Sequence, residues 1–310
     1  GAGYVRGLFT ATTGSSASTV SGNTIANLTT GSSLTAFTSG IAAAIGIHLG
    51  SGNNALVSNN DISNIAGTNT GTTNIIVAGI ALASATNTTV LNNKVCNLSN
   101  AGTGVSATAP PVVTGIGIRS GTTTINVVNN MVAIGTGQTT NTTFIGIWAN
   151  HGSTPNPIDN IYHNSVVIGG TAASGALPSF GFLRGDLTAT ARTATVDVRD
   201  NIFQNTRTGG TGEHYAISNN FGVAAPSTTG WPANASNFNV LNAAVPNTIG
   251  HWATAQSIAG WRTASAGDGN SISGASVSFV DVNTCDLHVA AATPTVVEGA
   301  GTPIATVTTD

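Results

Sequence analysis

Charge is scarcest in this sequence. Of its 310 residues only 6% are Asp, Glu, Lys or Arg, against about 25% in an ordinary globular domain. There is one lysine, Lys94, and the net charge is −3. No basic stripe is present to neutralise phosphates, which excludes nucleic acid as a partner class. The surface must be solvated by Asn, Thr, Ser and backbone, as is typical of secreted or surface proteins. Cysteine is nearly absent as well. Cys96 and Cys285 cannot make a metal site by spacing, and the sequence leaves open whether they bridge or stand as free thiols. No apolar run approaches the roughly 18 residues of a transmembrane helix. The opening GAGYVRGLFT has no basic stretch followed by an apolar run, so no signal peptide is expected there and a processed or partial piece is.

What the chain does have is a repeat. Asn23, Asn60, Asn93, Asn130, Asn164 and Asn201 recur at spacings of 37, 33, 37, 34 and 37 residues. Three residues before each stands Val20, Val57, Val90, Val127, Ile161 or Val198. Two residues after each stands Ile25, Ile62, Val95, Val132, Val166 or Phe203. A second landmark precedes most of them, a small residue before a large apolar one: Gly46-Ile47, Gly79-Ile80, Gly117-Ile118, Gly146-Ile147, Gly181-Phe182 and Ala216-Ile217. Several of these alternate, as in Ile45-Gly46-Ile47, which reads as a strand with one buried face.

Apolar positions five apart fall on opposite faces of a straight strand. Val90 and Val95 can share a core only if the chain turns a corner between them. Asn is the non-glycine residue most at home in the left-handed conformation of a tight corner, so the ladder asparagines are expected to take it. Repeats that each bury one side must stack. The expected fold is all-β: a right-handed parallel β-helix of about six to seven rungs of 33–37 residues, its asparagines stacked into a ladder. Polar or Gly/Pro-rich stretches at 29–44, 100–114, 149–160 and 184–195 read as projecting loops.

Residues 1–218 read as the rungs. Residues 219–310 read as a last irregular rung and a C-terminal cap, continuous with the helix and holding Trp231, Trp252 and Trp261. An open solenoid end is an unpaired edge that needs covering. The tryptophans suit that use better than a sugar-stacking platform. Ladder rungs followed by RDNIFQNTRTGGTGEHYAI (199–217), GWRTASAGDGNSI, DLHV and GAGTPIATVTTD resemble the asparagine-ladder, pectate-lyase-like β-helix regions of large secreted surface proteins of type IX-secretion bacteria. That resemblance implies adhesion, a surface layer or an extracellular fibre. Some relatives carry carbohydrate-active modules.

Polysaccharide lyases and glycosidases need converging carboxylates. The only dense charge cluster is Arg184, Asp186, Arg192, Asp197, Arg199, Asp200 and Arg207, with Glu213 and His214 nearby. Asp197 and Arg199 share the outward face of a predicted strand, and with Asp200 they form the one weak catalytic candidate set. Outward ion pairs on a rung are the plainer reading. His48, His151, His163, His214, His251 and His288 show no metal-ligand spacing, and no Gly-Gly-x-Gly-x-Asp calcium repeat occurs. No cofactor or metal is expected. His163 occupies the first-Asn slot of its rung, where a corner hydrogen bond is expected. The adjacent threonines at 72–73, 88–89, 123–124 and 142–143 suit strand entry better than an ice-binding face.

The leading functional expectation is a non-catalytic extracellular or cell-surface β-helix segment, structural or adhesive. The alternative is a carbohydrate-active enzyme or glycan-binding module, and ice binding is a minor third. Self-association in a fibre or surface layer and glycans are the candidate partners.

Overall fold

The computed structural model describes residues 4–11, 17–33, 42–72, 75–106, 108–119, 123–151, 157–291 and 295–307. Each repeat folds as three short strands, and equivalent strands of successive repeats pair in parallel. The first sheet runs through Val5–Ala11, Ala44–Asn53, Ile76–Leu82, Val112–Ile118, Thr143–Ala149, Ser179–Arg184, His214–Asn219 and Gly250–Trp252, and closes on antiparallel Thr254–Gln256. The second runs through Thr19–Ser21, Leu56–Ser58, Thr88–Leu91, Thr124–Val128, Ile158–Tyr162, Thr195–Arg199 and Ser236–Asn237. The third runs through Thr24–Thr30, Asp61–Gly67, Lys94–Asn100, Met131–Ile134, Ser165–Ile168, Ile202–Asn205, Val240–Ala243 and Ile272–Ser273. The whole is a right-handed parallel β-helix of about seven turns.

The corner between the second and third sheets puts both flanking apolar residues in one core. Val57, Val90, Val127, Ile161 and Val198 on one side, and Ile62, Val95, Val132, Val166 and Phe203 on the other, have no exposed surface. Left-handed backbone is needed there, but the ladder asparagines do not supply it. The residue before each does: Gly22 (φ 68°), Asn59 (54°), Asn92 (55°), Asn129 (53°), His163 (54°), Asp200 (59°) and Phe238 (56°). The two asparagines of each pair therefore divide the work. The first makes the turn, and the second turns its amide inward to stack.

The stacking is regular. Each ladder Oδ1 accepts from both the backbone N–H and the Nδ2 of the asparagine one rung earlier. Asn93 donates to Asn130 Oδ1 at 3.0 and 2.9 Å, and Asn130 to Asn164 Oδ1 at 3.0 and 3.0 Å. Asn23, Asn60, Asn164 and Asn201 sit in the same column. The column continues to Asn239, whose own N–H donates to Ser271 Oγ at 2.8 Å.

The first sheet departs from the expected one-faced alternation. Ile45 and Ile47 are both fully buried, but in different clusters. Ile47 joins the central core, while Ile45 packs outside the sheet with Ala78, Ile145, Phe180 and Tyr215. The glycine between them steps the strand. A Cβ on Gly46 would lie 2.5 Å from Ile62 Cγ2 and 2.6 Å from Gly79 O, so only glycine fits. Register places Gly115, not Gly117, in this column, because Thr114 pairs with Ala78 and Ile116 with Ile80. The Gly117-Ile118 landmark was thus two residues out of phase. Leu187 and Phe221, from loops leaving the first sheet, pack over its outer face.

One end of the core is plugged. Trp231, Trp252 and Trp261 pack edge to face with centroids 5.7 to 5.9 Å apart. Trp261 lies on α1 (Ile258–Ser265), which is capped by Ser257. The Gly267-Asp268-Gly269 turn buries Asp268 completely, where it accepts from Trp261 Nε1 (2.7 Å), Ser271 Oγ (2.5 Å) and Asn239 Nδ2 (3.2 Å). One carboxylate thereby ends the ladder and fixes the plug.

Residues 277–291 and 295–307 then lie back along the outside. Cys285 bonds Cys96 with Cα atoms 5.9 Å apart, and Cys285 and Leu287 cover Ala133 and Val167 of the third sheet. Further on, Ile304 packs on Val128 and Tyr162 of the second sheet. The segment is a strap that crosses the asparagine corner from one sheet to the next.

Candidate functional site

The charge cluster singled out by sequence does not converge. Arg184 is fully buried and donates to Ala194 O (3.0 Å), Asn219 Oδ1 (2.8 Å) and Thr229 O (2.6 Å), tying together two loops. Arg207 donates to Gln138 O, Gly169 O and Thr140 O and lies 4.6 Å from the Phe144 ring centroid. Burial lowers both guanidinium pKa values to about 10. Arg192 pairs with Asp186 at 2.7 Å, and Asp186 also accepts the N–H groups of Thr188 and Thr190. Glu213 accepts the Tyr215 hydroxyl, and His214 Nδ1 lies 2.9 Å from Ser179 Oγ. These are staples within loops and rungs.

Asp197 and Arg199 project outward beside buried Val198, as a strand period of two requires. They form an ion pair at 2.5 Å. Tyr162 on the preceding rung donates to Asp197 Oδ2 at 2.7 Å. Burial, then the bond to Asp197, raises the Tyr162 pKa to about 12. The bond to Asp197 raises that of Arg199. Asp197 and Arg199 line a shallow groove of about 660 Å³ with Asn160, Asn237 and Phe238. Asp200 is turned elsewhere by the corner. Its Oδ1 accepts the strap N–H of Thr302 at 2.7 Å. Its Oδ2 is buried without a hydrogen-bond partner. Burial raises its pKa, and the Thr302 N–H opposes that shift. The three residues of the catalytic candidate set therefore serve two different grooves.

The groove that holds Asp200 encloses about 620 Å³ between the corner and the strap. One wall is the column of left-handed residues, among them Asn92, Asn129 and His163, joined rung to rung by backbone bonds such as Asn92 N–H to Val128 O at 3.2 Å. The other is the strap, with Leu287, Val289 and Val297. His163 is there for its backbone, and it lines the groove.

A buried His–Asp contact was not legible in the sequence. His151 Nδ1 lies 2.9 Å from Asp159 Oδ2 with both side chains wholly buried. Its eight-residue spacing across a loop carries no motif, and its burial closes it to substrate. Among the described residues no group of three or more His, Cys, Asp or Glu side chains could hold a metal ion. No described helix is long and apolar enough to cross a membrane. Thr88, Thr142 and Thr143 are buried at strand entries, and Thr73 lies outside the described residues.

Fold and grooves define an asparagine-ladder β-solenoid with a strapped corner. No family model, no curated protein and no solved structure matches the chain.

Proposed function

We propose that the chain is a non-catalytic structural or adhesive segment of a larger extracellular or cell-surface protein. The uninterrupted ladder and core carry this reading. One column of amides, half-exposed at Asn23 and buried from Asn60 onward, runs to the Ser271–Asp268 cap, so every rung is locked to the next along the long axis. The Cys96–Cys285 bond supports an oxidising location. The resemblance to surface proteins of type IX-secretion bacteria belongs to the same proposal. The carboxylates of the charge cluster are engaged by loop N–H groups, arginines or tyrosines, which speaks for architecture over turnover.

The test measures self-association by sedimentation and retention on polysaccharide surfaces, beside a turnover screen with acidic and neutral polysaccharides, with and without calcium. Association or retention without turnover is expected. Turnover abolished by Asp197→Ala would replace this reading with the carbohydrate-active one, which the solvent-facing Asp197–Arg199–Tyr162 group favours.

A further inference from the structure

We propose that the groove under the strap binds a neutral, hydroxyl-rich chain of the oligosaccharide kind. The inference goes beyond the architectural reading and stands independently of it.

Three observations carry it. The first is size and build: about 620 Å³ is the volume of a small-ligand site, with a polar wall facing a strap that presents Leu287, Val289 and Val297 beside His288, and with Lys94 also in the lining. The polar wall repeats at the rung spacing, about 4.8 Å, with the side chains of Asn92, Asn129 and His163 in successive positions. A chain of sugar rings offers the matching surface, hydroxyls along one edge and C–H faces toward Leu287 and Val297.

The second is Asp200. Its Oδ1 is used by Thr302, but Oδ2 has no partner. A buried acceptor left unmade costs stability unless something donates to it. Oδ2 is closed off under Gly301 and Thr302 of the strap, so a ligand reaches it only as that contact gives way; a sugar hydroxyl then donates to it, whereas an acidic sugar brings a second negative charge to the same place.

The third is Phe238. Every other position of its column from Gly22 onward holds Gly, Asn, His or Asp, the residues that tolerate left-handed backbone. Phe238 holds φ 56° with a bulky side chain. Such an outlier is strained and points to a role for the side chain. Phe238 lines this groove as well as the shallow one beside Asp197, and an aromatic face at their shared rim can stack on a sugar.

The experiment is isothermal titration of the whole oxidised chain with cellohexaose, xylohexaose, mannohexaose and maltohexaose, and with trigalacturonate as the acidic counterpart. At least one neutral probe is expected to bind. Asp200→Asn keeps Oδ1 for Thr302 and a residue suited to the corner, but replaces the unpartnered acceptor with a donor. It should weaken binding about tenfold or more, as for one charge-assisted hydrogen bond. Phe238→Asn restores the column's usual residue. It should weaken binding while leaving the melting temperature equal or higher, a split that a purely structural phenylalanine would not give. The proposal is overturned if no neutral probe binds, if trigalacturonate binds tighter than all of them, or if both variants bind like the parent chain.

Discussion

At the residue scale, an adjacent pair such as Asn92-Asn93 holds two different requirements. Asn92 is exposed and left-handed, while Asn93 has no exposed surface and both donates and accepts within the ladder. Their substitutions should separate. Asn130→Ala strips the acceptor from the Asn93 N–H and Nδ2, and the donor from Val90 O and Val128 O. With several buried groups unpaired, a loss of about 2–4 kcal/mol is expected in urea denaturation. Asn92→Ala should cost only about 1 kcal/mol, from left-handed strain, and Asn92→Gly close to nothing. Equal losses at Asn92 and Asn130 would refute the division.

The histidines make a pH prediction at the same scale. Burial lowers His48, His214 and His251 from 6.5 to about 4. Above pH 6.5 folded and unfolded chains are both neutral at these sites. Between 6.5 and 4 the unfolded chain takes up protons that the folded one refuses, so stability falls as pH drops through that window. The urea midpoint should decline there. His48→Leu should remove part of the slope, since both ring nitrogens of His48 are buried and unpartnered.

At the element scale, sequence spacing located two of the three strands of each rung, because Val90 and Val95 at −3 and +2 leave no other way to share a core. The first sheet was read less well. A Gly between two large residues is compatible with simple alternation, and only register shows that the strand steps there and buries Ile45 and Ile47 on opposite sides. The same ambiguity hid which glycine of Thr114-Gly115-Ile116-Gly117-Ile118 belongs to the column. A Cβ on Gly115 would run into Val132 Cγ1 and stand 2.7 Å from Gly146 O. Gly115→Ala should therefore destabilise by about 1–3 kcal/mol, the usual cost of overpacking, with Val132 and the adjoining rungs the first to lose amide-exchange protection. Unchanged stability would show that the step relaxes freely.

For the whole molecule, the strap is the feature that joins distant parts. Cys96 and Cys285 are 189 residues apart, and closing so long a loop restricts the unfolded chain. In the chain-entropy model that is worth about 5 kcal/mol. Cys285→Ser should lower global stability and expose the strap first. Limited proteolysis is expected to cut within 277–307 while the rungs resist. Simultaneous loss of strap and rungs would mean that the strap belongs to the same cooperative unit.

The sequence by itself determined the solenoid, because corner asparagines and flanking apolar residues repeated at near-constant intervals admit only stacked parallel rungs. It also marked Asp197 and Arg199 as outward, since strand alternation is local. It did not determine that Asp200 parts from them, that His151 meets Asp159, or that Asn239, Ser271 and Asp268 finish the ladder. Those contacts join residues through a corner, a loop or a cap, where no period relates position to direction. The strap is the fullest case: whether Cys285 reaches Cys96, and what groove it encloses on the way, depends on the path of an aperiodic segment over a finished surface, and only the tertiary structure decides that.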